Sequence, residues 1–125
     1  MIVKAQIVFV VLRIESNSEL SGLSAMGWAA GHIAKLQSGE TVSFRPRGNS
    51  MSPRIKSGQL CTVEPVDPTT LQAGDIVLCR VRGMEYLHLV KAIQGDRLQI
   101  GNNRGHINGW IGKSAIFGKL MRVEN

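Results

Sequence analysis

The chain has 125 residues, of which 43% are hydrophobic and 19% charged, which is typical of one soluble globular domain with a buried core. Fourteen glycines indicate many turns and favour strands over helices. The formal net charge of +6 indicates either an anionic partner or only good solubility. Since no nucleic-acid-binding motif is present, nucleic acid is not the expected partner.

The N-terminal segment is apolar but too short to enter a membrane as a helix. Its uninterrupted apolar run covers only residues 7–12, whereas a membrane span needs about 20 apolar residues and a signal peptide about 7–15. Residues 2–12 are rich in β-branched side chains and predict a buried first strand without a membrane anchor. Such a strand can also pair between subunits, so a homodimer stays an alternative to a monomer.

Two cysteines, Cys61 and Cys79, lie in apolar strand-like segments and form no C-x-x-C pair. Spacing of the kind that binds metals is absent, so no metal or other cofactor is expected. We interpret both cysteines as reduced core residues, which fits a cytoplasmic protein.

One helix is predicted over residues 17–38. Residues 16–19 have the S-x-x-E pattern of a capping box, apolar residues follow at helical spacing, and Gly39 is placed to end the helix in a left-handed cap. Residues 1–40 are therefore expected to form a strand and a helix that pack on the same domain as residues 41–125.

The pattern changes after residue 41 to short apolar runs with a period of two. It predicts strands over residues 41–45, 60–64, 75–81, 85–93, 97–100 and 115–123. Gly95 and Asp96 connect two of them in a hairpin. Pro53 is expected to begin a short helical turn. The predicted fold is mostly β, with one N-terminal helix on a strongly bent antiparallel sheet.

A serine lies on a glycine-containing turn directly after the first of these strands. Residues 48–53 read GNSMSP, so Ser50 follows a residue pair, Gly48 and Asn49, that permits a sharp turn with free backbone N–H groups. Met51 is expected to pack beneath the turn. Such a turn is either only a turn or the place of a nucleophile that needs a base and oxyanion donors.

A histidine within a later predicted strand offers the base. His88 shares one strand face with Tyr86 and Val90, while Leu87 and Leu89 point to the other. A histidine accepts and returns a proton near pH 7. The alternative is a half-buried histidine with only a structural role.

Together these segments resemble the serine peptidase superfamily of LexA-type self-cleaving repressors and signal peptidases. The resemblance rests on GNSMSP at residues 48–53, AGDIVL at 73–78, LHLV at 87–90 and IGNN at 100–103, in the order and spacing of that superfamily. It covers residues 41–123, whereas residues 1–40 show no such similarity. It implies the bent β fold of these catalytic domains.

The resemblance also implies roles for individual residues. Ser50 would be the nucleophile, its N–H an oxyanion donor, and His88 the general base. The chain resembles the Ser-His branch of the signal peptidases in having histidine at the general-base position. LexA-type proteins have lysine at that position. The substrate would be an extended peptide that adds as a strand beside the cleft.

The chain departs from the pattern of the Ser-His branch at two acidic positions. Asn102 occupies the place of an acidic residue that supports the histidine, and Asn108 lies near a second such place. An asparagine can fix the tautomer of a histidine but supplies no negative charge to an imidazolium. The resemblance therefore allows a slow site as well as an active one.

Four basic residues flank Ser50 in sequence, namely Arg45, Arg47, Arg54 and Lys56. We name them the basic rim. Either they bind an anionic partner or they form only a solvated surface. His106, in a glycine-rich stretch, is expected to face solvent.

Two functional hypotheses follow. The first is a soluble serine endopeptidase with a Ser50–His88 dyad, acting in self-cleavage or protein processing. The second is a catalytically degenerate module of the same fold that binds a peptide, a protein or an anionic ligand through the cleft and the basic rim.

Overall fold

The computed structural model describes residues 27–125. The predicted strand over residues 2–12, the capping box and the first part of the predicted helix lie outside this range. The prediction of one helix over residues 17–38 was wrong at residues 27–29, which form a turn in which Gly27 has φ +95°. Helix α1 begins after this turn and covers Ala30–Gln37. It ends as predicted, because Gly39 has φ +93° and donates to the Leu36 carbonyl, while Glu40 N–H reaches the Lys35 carbonyl.

Within residues 27–125, seven strands form one antiparallel sheet in the order β1-β2-β7-β3-β4-β5-β6. The strands are β1 (Val42–Phe44), β2 (Leu60–Glu64), β3 (Ile76–Val81), β4 (Met84–Gln94), β5 (Arg97–Gly101), β6 (Ile107–Gly112) and β7 (Ile116–Glu124). Short 3-10 turns lie at Pro68–Thr70 and Lys113–Ala115. The mostly β fold with one described helix is thereby confirmed, and β4 and β5 meet at Gly95 and Asp96 as predicted.

Strand β6 was not predicted from the sequence. Its residues read INGWIG, with two glycines, and only Ile111 is buried, so no alternation of apolar and polar side chains marks it as a strand. It forms because it pairs with β5 along its length. The segment around His106 is therefore a loop between two strands rather than part of a long connection.

The sheet is bent so that β6 approaches β3, although the two strands are not neighbours in it. A Cβ added to Gly109 would lie 3.4 Å from Val81 Cγ1. The space between these strands holds a buried apolar cluster: Leu71, Val77, Cys79, Val81, Val90, Leu98, Ile100, Ile111 and Ile116. This core fixes the strands that carry the site described below.

Helix α1 packs on the other side of β7 and against β1. Its His32 ring stacks on Phe44 with 4.5 Å between the ring centroids. A Cβ at Gly118 would lie 2.7 Å from Val63 Cγ1 and 2.8 Å from the Glu64 carbonyl oxygen, so only glycine fits against β2 at this point. Leu36 Cδ2 of the helix lies 3.1 Å from the same position. No helix within residues 27–125 is long and apolar enough to cross a membrane.

The two cysteines are free and buried, as predicted. Burial raises the pKa of the Cys79 thiol to about 12 and also raises the pKa of Cys61. Both thiols are therefore protonated near neutral pH and behave as apolar core groups.

Candidate active site

Ser50 lies on an exposed turn between β1 and β2. Gly48, with φ +109°, reverses the chain, and its N–H donates to Ser57 Oγ at 3.0 Å. Gly58 N–H closes the base of the same loop by donating to the Pro46 carbonyl at 2.8 Å. Met51 is only 5% exposed and so packs beneath the turn as predicted, while Ser50 stays open to solvent.

The residues after Ser50 depart from the predicted helical turn. One bond of helical type joins Ile55 N–H to the Met51 carbonyl, and residues 50–54 form turns rather than a helix. Pro53 lies inside this turn, after a cis peptide bond from Ser52, and not at the first position of a helix. The predicted place of Pro53 was therefore wrong, because no further bond of helical type within residues 27–125 extends the single one at Ile55.

His88 lies in the middle of β4, where it pairs with Val77 of β3. The side chain is 7% exposed, and its ring stacks on Tyr86 with 4.8 Å between the centroids. Its Nε2 lies 3.2 Å from Ser50 Oγ. The structure therefore brings the two residues together within the reach that proton transfer from a nucleophile to its base requires.

The other ring nitrogen of His88 meets an asparagine. His88 Nδ1 lies 2.8 Å from Asn108 Oδ1. An amide oxygen only accepts hydrogen bonds, so Nδ1 carries the proton and Nε2 presents its lone pair to Ser50. This is the tautomer in which His88 can accept the hydroxyl proton of Ser50.

Burial keeps His88 neutral near pH 7. Desolvation is the largest influence and lowers the pKa of the ring below its ordinary value of 6.5. The hydrogen bond to Asn108 acts in the opposite direction, and the charge of His106 lowers the pKa further. His88 is consequently in its basic form at neutral pH.

Asn108 reaches His88 because it lies in a β-bulge. Ile100 pairs with Gly109 and Gly101 pairs with Ile107, so Asn108 is an extra residue between two pairs. A bulge turns a side chain away from the regular alternation of the strand. The sequence placed Asn108 near a supporting position, but it held no sign of this bulge.

Asn102, the other predicted supporting residue, has a different contact. Its Oδ1 accepts hydrogen bonds from the N–H groups of Arg104 at 2.8 Å and His106 at 3.0 Å. Its own N–H donates to the His106 carbonyl. Asn102 thus shapes the loop between β5 and β6, and no hydrogen bond joins its side chain to His88 in the described part of the chain. His106 is exposed there, as predicted.

Asn103 joins this loop to the Ser50 turn, a role that the sequence did not reveal. Its N–H donates to the Ser50 carbonyl at 2.9 Å, and its Nδ2 donates to the Ser52 carbonyl at 3.0 Å. These bonds connect positions about 50 residues apart in the chain. The only sequence signal was that Asn103 adjoins Asn102 in the motif, which says nothing of its partner.

Backbone donors lie beside the hydroxyl of Ser50. Within residues 27–125, the N–H groups of Ser50 and Met51 donate to no other group, whereas that of Gly48 is held by Ser57. Asn49 accepts a bond from Ser52 N–H through its carbonyl, which tightens the turn. Ser50 N–H and its neighbour are therefore available for a developing oxyanion, and the Gly48 N–H is not.

The basic rim lies on the same loop. Arg45 Nη1 donates to the Gly58 carbonyl at 2.9 Å and so helps to close the loop. The side chains of Arg47, Arg54 and Lys56 are exposed, and no carboxylate pairs with them in the part of the chain that the structure describes.

Comparison with known proteins gives one family. No curated protein matches the chain. The model of the Peptidase S24-like family matches residues 22–108, which include Ser50, His88 and Asn108. The match thus begins within the N-terminal stretch in which the motifs alone showed no similarity. Since it covers more than half of the chain and agrees with the fold, the chain belongs to the Peptidase S24-like family, within the superfamily of LexA-type repressors and signal peptidases.

Proposed function

We propose that the protein is a serine endopeptidase in which Ser50 is the nucleophile and His88 the general base. One observation carries the proposal: Ser50 Oγ lies 3.2 Å from His88 Nε2, while Asn108 holds the opposite nitrogen at 2.8 Å. The exposed Ser50 can reach a peptide carbonyl from solvent, and the buried His88 is neutral near pH 7. The substrate is an extended peptide segment of this chain or of another protein.

The first half of the reaction forms an acyl-enzyme. Ser50 Oγ attacks the carbonyl carbon as its proton passes to His88 Nε2, and the carbonyl electrons move onto the oxygen. Ser50 N–H and Met51 N–H supply donors beside that oxyanion. His88 then gives its proton to the leaving amine, the C–N bond breaks, and the new N-terminus departs.

The second half repeats the proton transfers with water. His88 takes a proton from water, the hydroxide adds to the acyl carbon, and the proton returns to Ser50 as the acid leaves. Asn108 keeps His88 Nδ1 protonated in both halves but brings no negative charge to the imidazolium. Each transfer therefore lacks the charge stabilisation of an acid, which predicts a slow enzyme.

Labelling with an uncharged fluorophosphonate, measured by intact mass between pH 6 and 9, tests the proposal. Wild type is expected to gain one label, and Ser50→Ala none. His88→Gln, which keeps much of the ring's volume, is expected to lose labelling because no base remains. Ser52→Ala is the matched control, since it changes the other hydroxyl of the same turn and leaves the dyad in place.

Labelling that is equal in wild type and Ser50→Ala, or absent from folded wild type, contradicts the peptidase proposal. The second result would favour the degenerate module that binds through the same cleft. Circular dichroism of each variant separates either result from a loss of folding.

A further inference from the structure

The loops around Ser50 contain basic residues but no acidic ones. Residues 41–59 and 97–112 contain no Asp or Glu, yet they supply the Ser50 turn, the loop after β5 and Asn108. The basic rim contributes four positive charges to these segments, and Arg97 and Arg104 bring the number to six. The surface around the nucleophile is therefore positive without internal neutralisation from these segments.

Arg104 belongs to this surface because of the contacts of its neighbour. Asn103 donates two hydrogen bonds to the Ser50 turn, so the following residue lies beside that turn. Arg104 N–H is fixed by Asn102 Oδ1 at 2.8 Å, and its side chain is exposed. Arg104 thus lies on the loop that Asn103 joins to the Ser50 turn, whereas the basic rim lies on the loop of Ser50 itself.

Four of the seven acidic residues in the described part of the chain pair with other basic residues. The ion pairs there join Arg80 to Glu85, Lys113 to Asp96, Lys119 to Asp75 and Arg122 to Glu124. None of them includes the basic rim or Arg104. If these charges served only solubility, we would expect acidic residues among the basic ones on the two loops beside Ser50. The acidic residues lie in other segments instead.

We propose that the peptide bound at Ser50 is acidic, with Asp or Glu side chains on both sides of the bond that faces Ser50. The basic rim receives the acidic side chains on one side, and Arg104 receives those on the other. This inference rests on the proposed function for the position of the bond. A peptide is favoured over a nucleic acid because the charges surround a serine and a histidine arranged for acyl transfer.

The test measures binding separately from cleavage. Ser50→Ala protein is titrated by fluorescence anisotropy with three alanine-rich peptides whose central residues are flanked by Glu, by Gln or by Lys. At about 10 mM salt the Glu peptide is expected to bind about tenfold more tightly than the Gln peptide, because each exposed ion pair contributes a factor of roughly 1.5 to 5. The difference should shrink at about 150 mM salt, where charges are screened beyond about 8 Å.

Charge reversal locates the binding surface. Arg47→Glu, Arg54→Glu and Arg104→Glu, each in the Ser50→Ala background, are expected to weaken binding of the Glu peptide at least threefold and to leave the Gln peptide unchanged. Lys35→Glu on α1 is the matched control, because it makes the same change in net charge outside both loops. The affinity of this control variant for the Glu peptide should stay within twofold of that of the Ser50→Ala protein.

Equal binding of the Glu and Gln peptides, no binding of either, or an equal effect of Lys35→Glu would overturn the inference. If single-stranded DNA with the same net charge as the Glu peptide binds more tightly than that peptide, the inference is also overturned. The surface would then be assigned to nucleic acid. The two proposals fail separately. Labelling at Ser50 without a preference for acidic peptides refutes only the inference, and the preference without labelling refutes only the peptidase activity.

Discussion

The two halves of the site are held in place by different forces. Ser50 lies on an exposed loop that is fixed by the hydrogen bond from Gly48 N–H to Ser57 Oγ, by bonds that Asn103 donates, and by the buried side chains of Met51 and Ile55. His88 lies in a strand that is paired on both sides and buried against the apolar cluster. Burial therefore controls the protonation of His88, whereas a small number of polar bonds and two buried side chains control the position of Ser50.

Because of this difference, we expect stability and activity to depend on different residues. The apolar cluster stabilises the whole sheet, so damage to it should unfold the protein without changing the geometry of molecules that stay folded. The bonds of the loops contribute little to the total free energy of unfolding, yet they set the distance between Ser50 and His88. Four variants or conditions test this comparison.

The largest expected effect is on stability, from Leu98→Ala. Leu98 is 1% exposed in the apolar cluster, and loss of its side chain leaves a cavity. The free energy of unfolding, measured with urea, should fall by about 2–5 kcal/mol. The labelling rate of the remaining folded protein should stay within about twofold, and a large fall would show that the core and the site are not separable.

Asn108→Asp should strengthen the base. The carboxylate would keep the proton on His88 Nδ1 and add a charge that raises the pKa of the ring and stabilises the imidazolium. In the Ser-His-Asp enzymes, replacing the acid by its amide lowers the turnover number by about four decades, partly because the histidine then adopts the wrong tautomer. Since the tautomer is already correct here, the rate of labelling at pH 8 should rise by about tenfold or more. Its acid limb should move to higher pH.

An unchanged or lower rate in folded Asn108→Asp would contradict the assigned role of Asn108. Asn102→Asp serves as the matched control, because it makes the same substitution in a side chain that contacts backbone N–H groups rather than His88. It should change the labelling rate much less.

Asn103→Ala should affect activity more than stability. It removes the bond from Nδ2 to the Ser52 carbonyl but keeps the backbone bond to Ser50. The labelling rate should fall about tenfold, while the free energy of unfolding falls by about 1 kcal/mol. Asn49→Ala in the same turn is the control. If both variants label like wild type, the Ser50 turn does not depend on Asn103.

The smallest effect is the pH dependence that His88 gives to stability. Its pKa is lowered in the folded protein, so between that value and the ordinary 6.5 the unfolded chain binds more protons. The contribution of His88 is fully present above pH 6.5 and is lost as the pH falls through this window. His88→Gln should reduce the slope of urea stability between pH 7 and 5, and an unchanged slope would assign the acid sensitivity to other groups.

Local patterns predicted most of the sheet and drew attention to two residues, Ser50 and His88, that the structure brings together. Strands β1, β2, β3, β4, β5 and β7 have β-branched or alternating side chains, and the prediction placed each of their ends to within one residue. Ser50 was marked by its glycine turn and His88 by its strand. The alternation also predicted correctly that Tyr86 shares the face of His88, since the two rings stack.

The sequence did not predict the contacts between segments that are distant along the chain. Strand β6 has no apolar alternation and exists through its pairing with β5. The bulge at Asn108 and the link from Asn103 to the Ser50 turn depend on register, which the sequence of either segment alone does not contain.

The sequence by itself determined the β-rich architecture, the serine turn and the strand histidine, because these follow from side-chain periodicity and turn chemistry within a few residues. Only the tertiary structure decided that His88 meets Ser50 at 3.2 Å, that Asn108 rather than Asn102 contacts its other nitrogen, and that burial lowers the pKa of the ring. The physical reason is that hydrogen bonding and desolvation at a site depend on which distant strands pair and in what register.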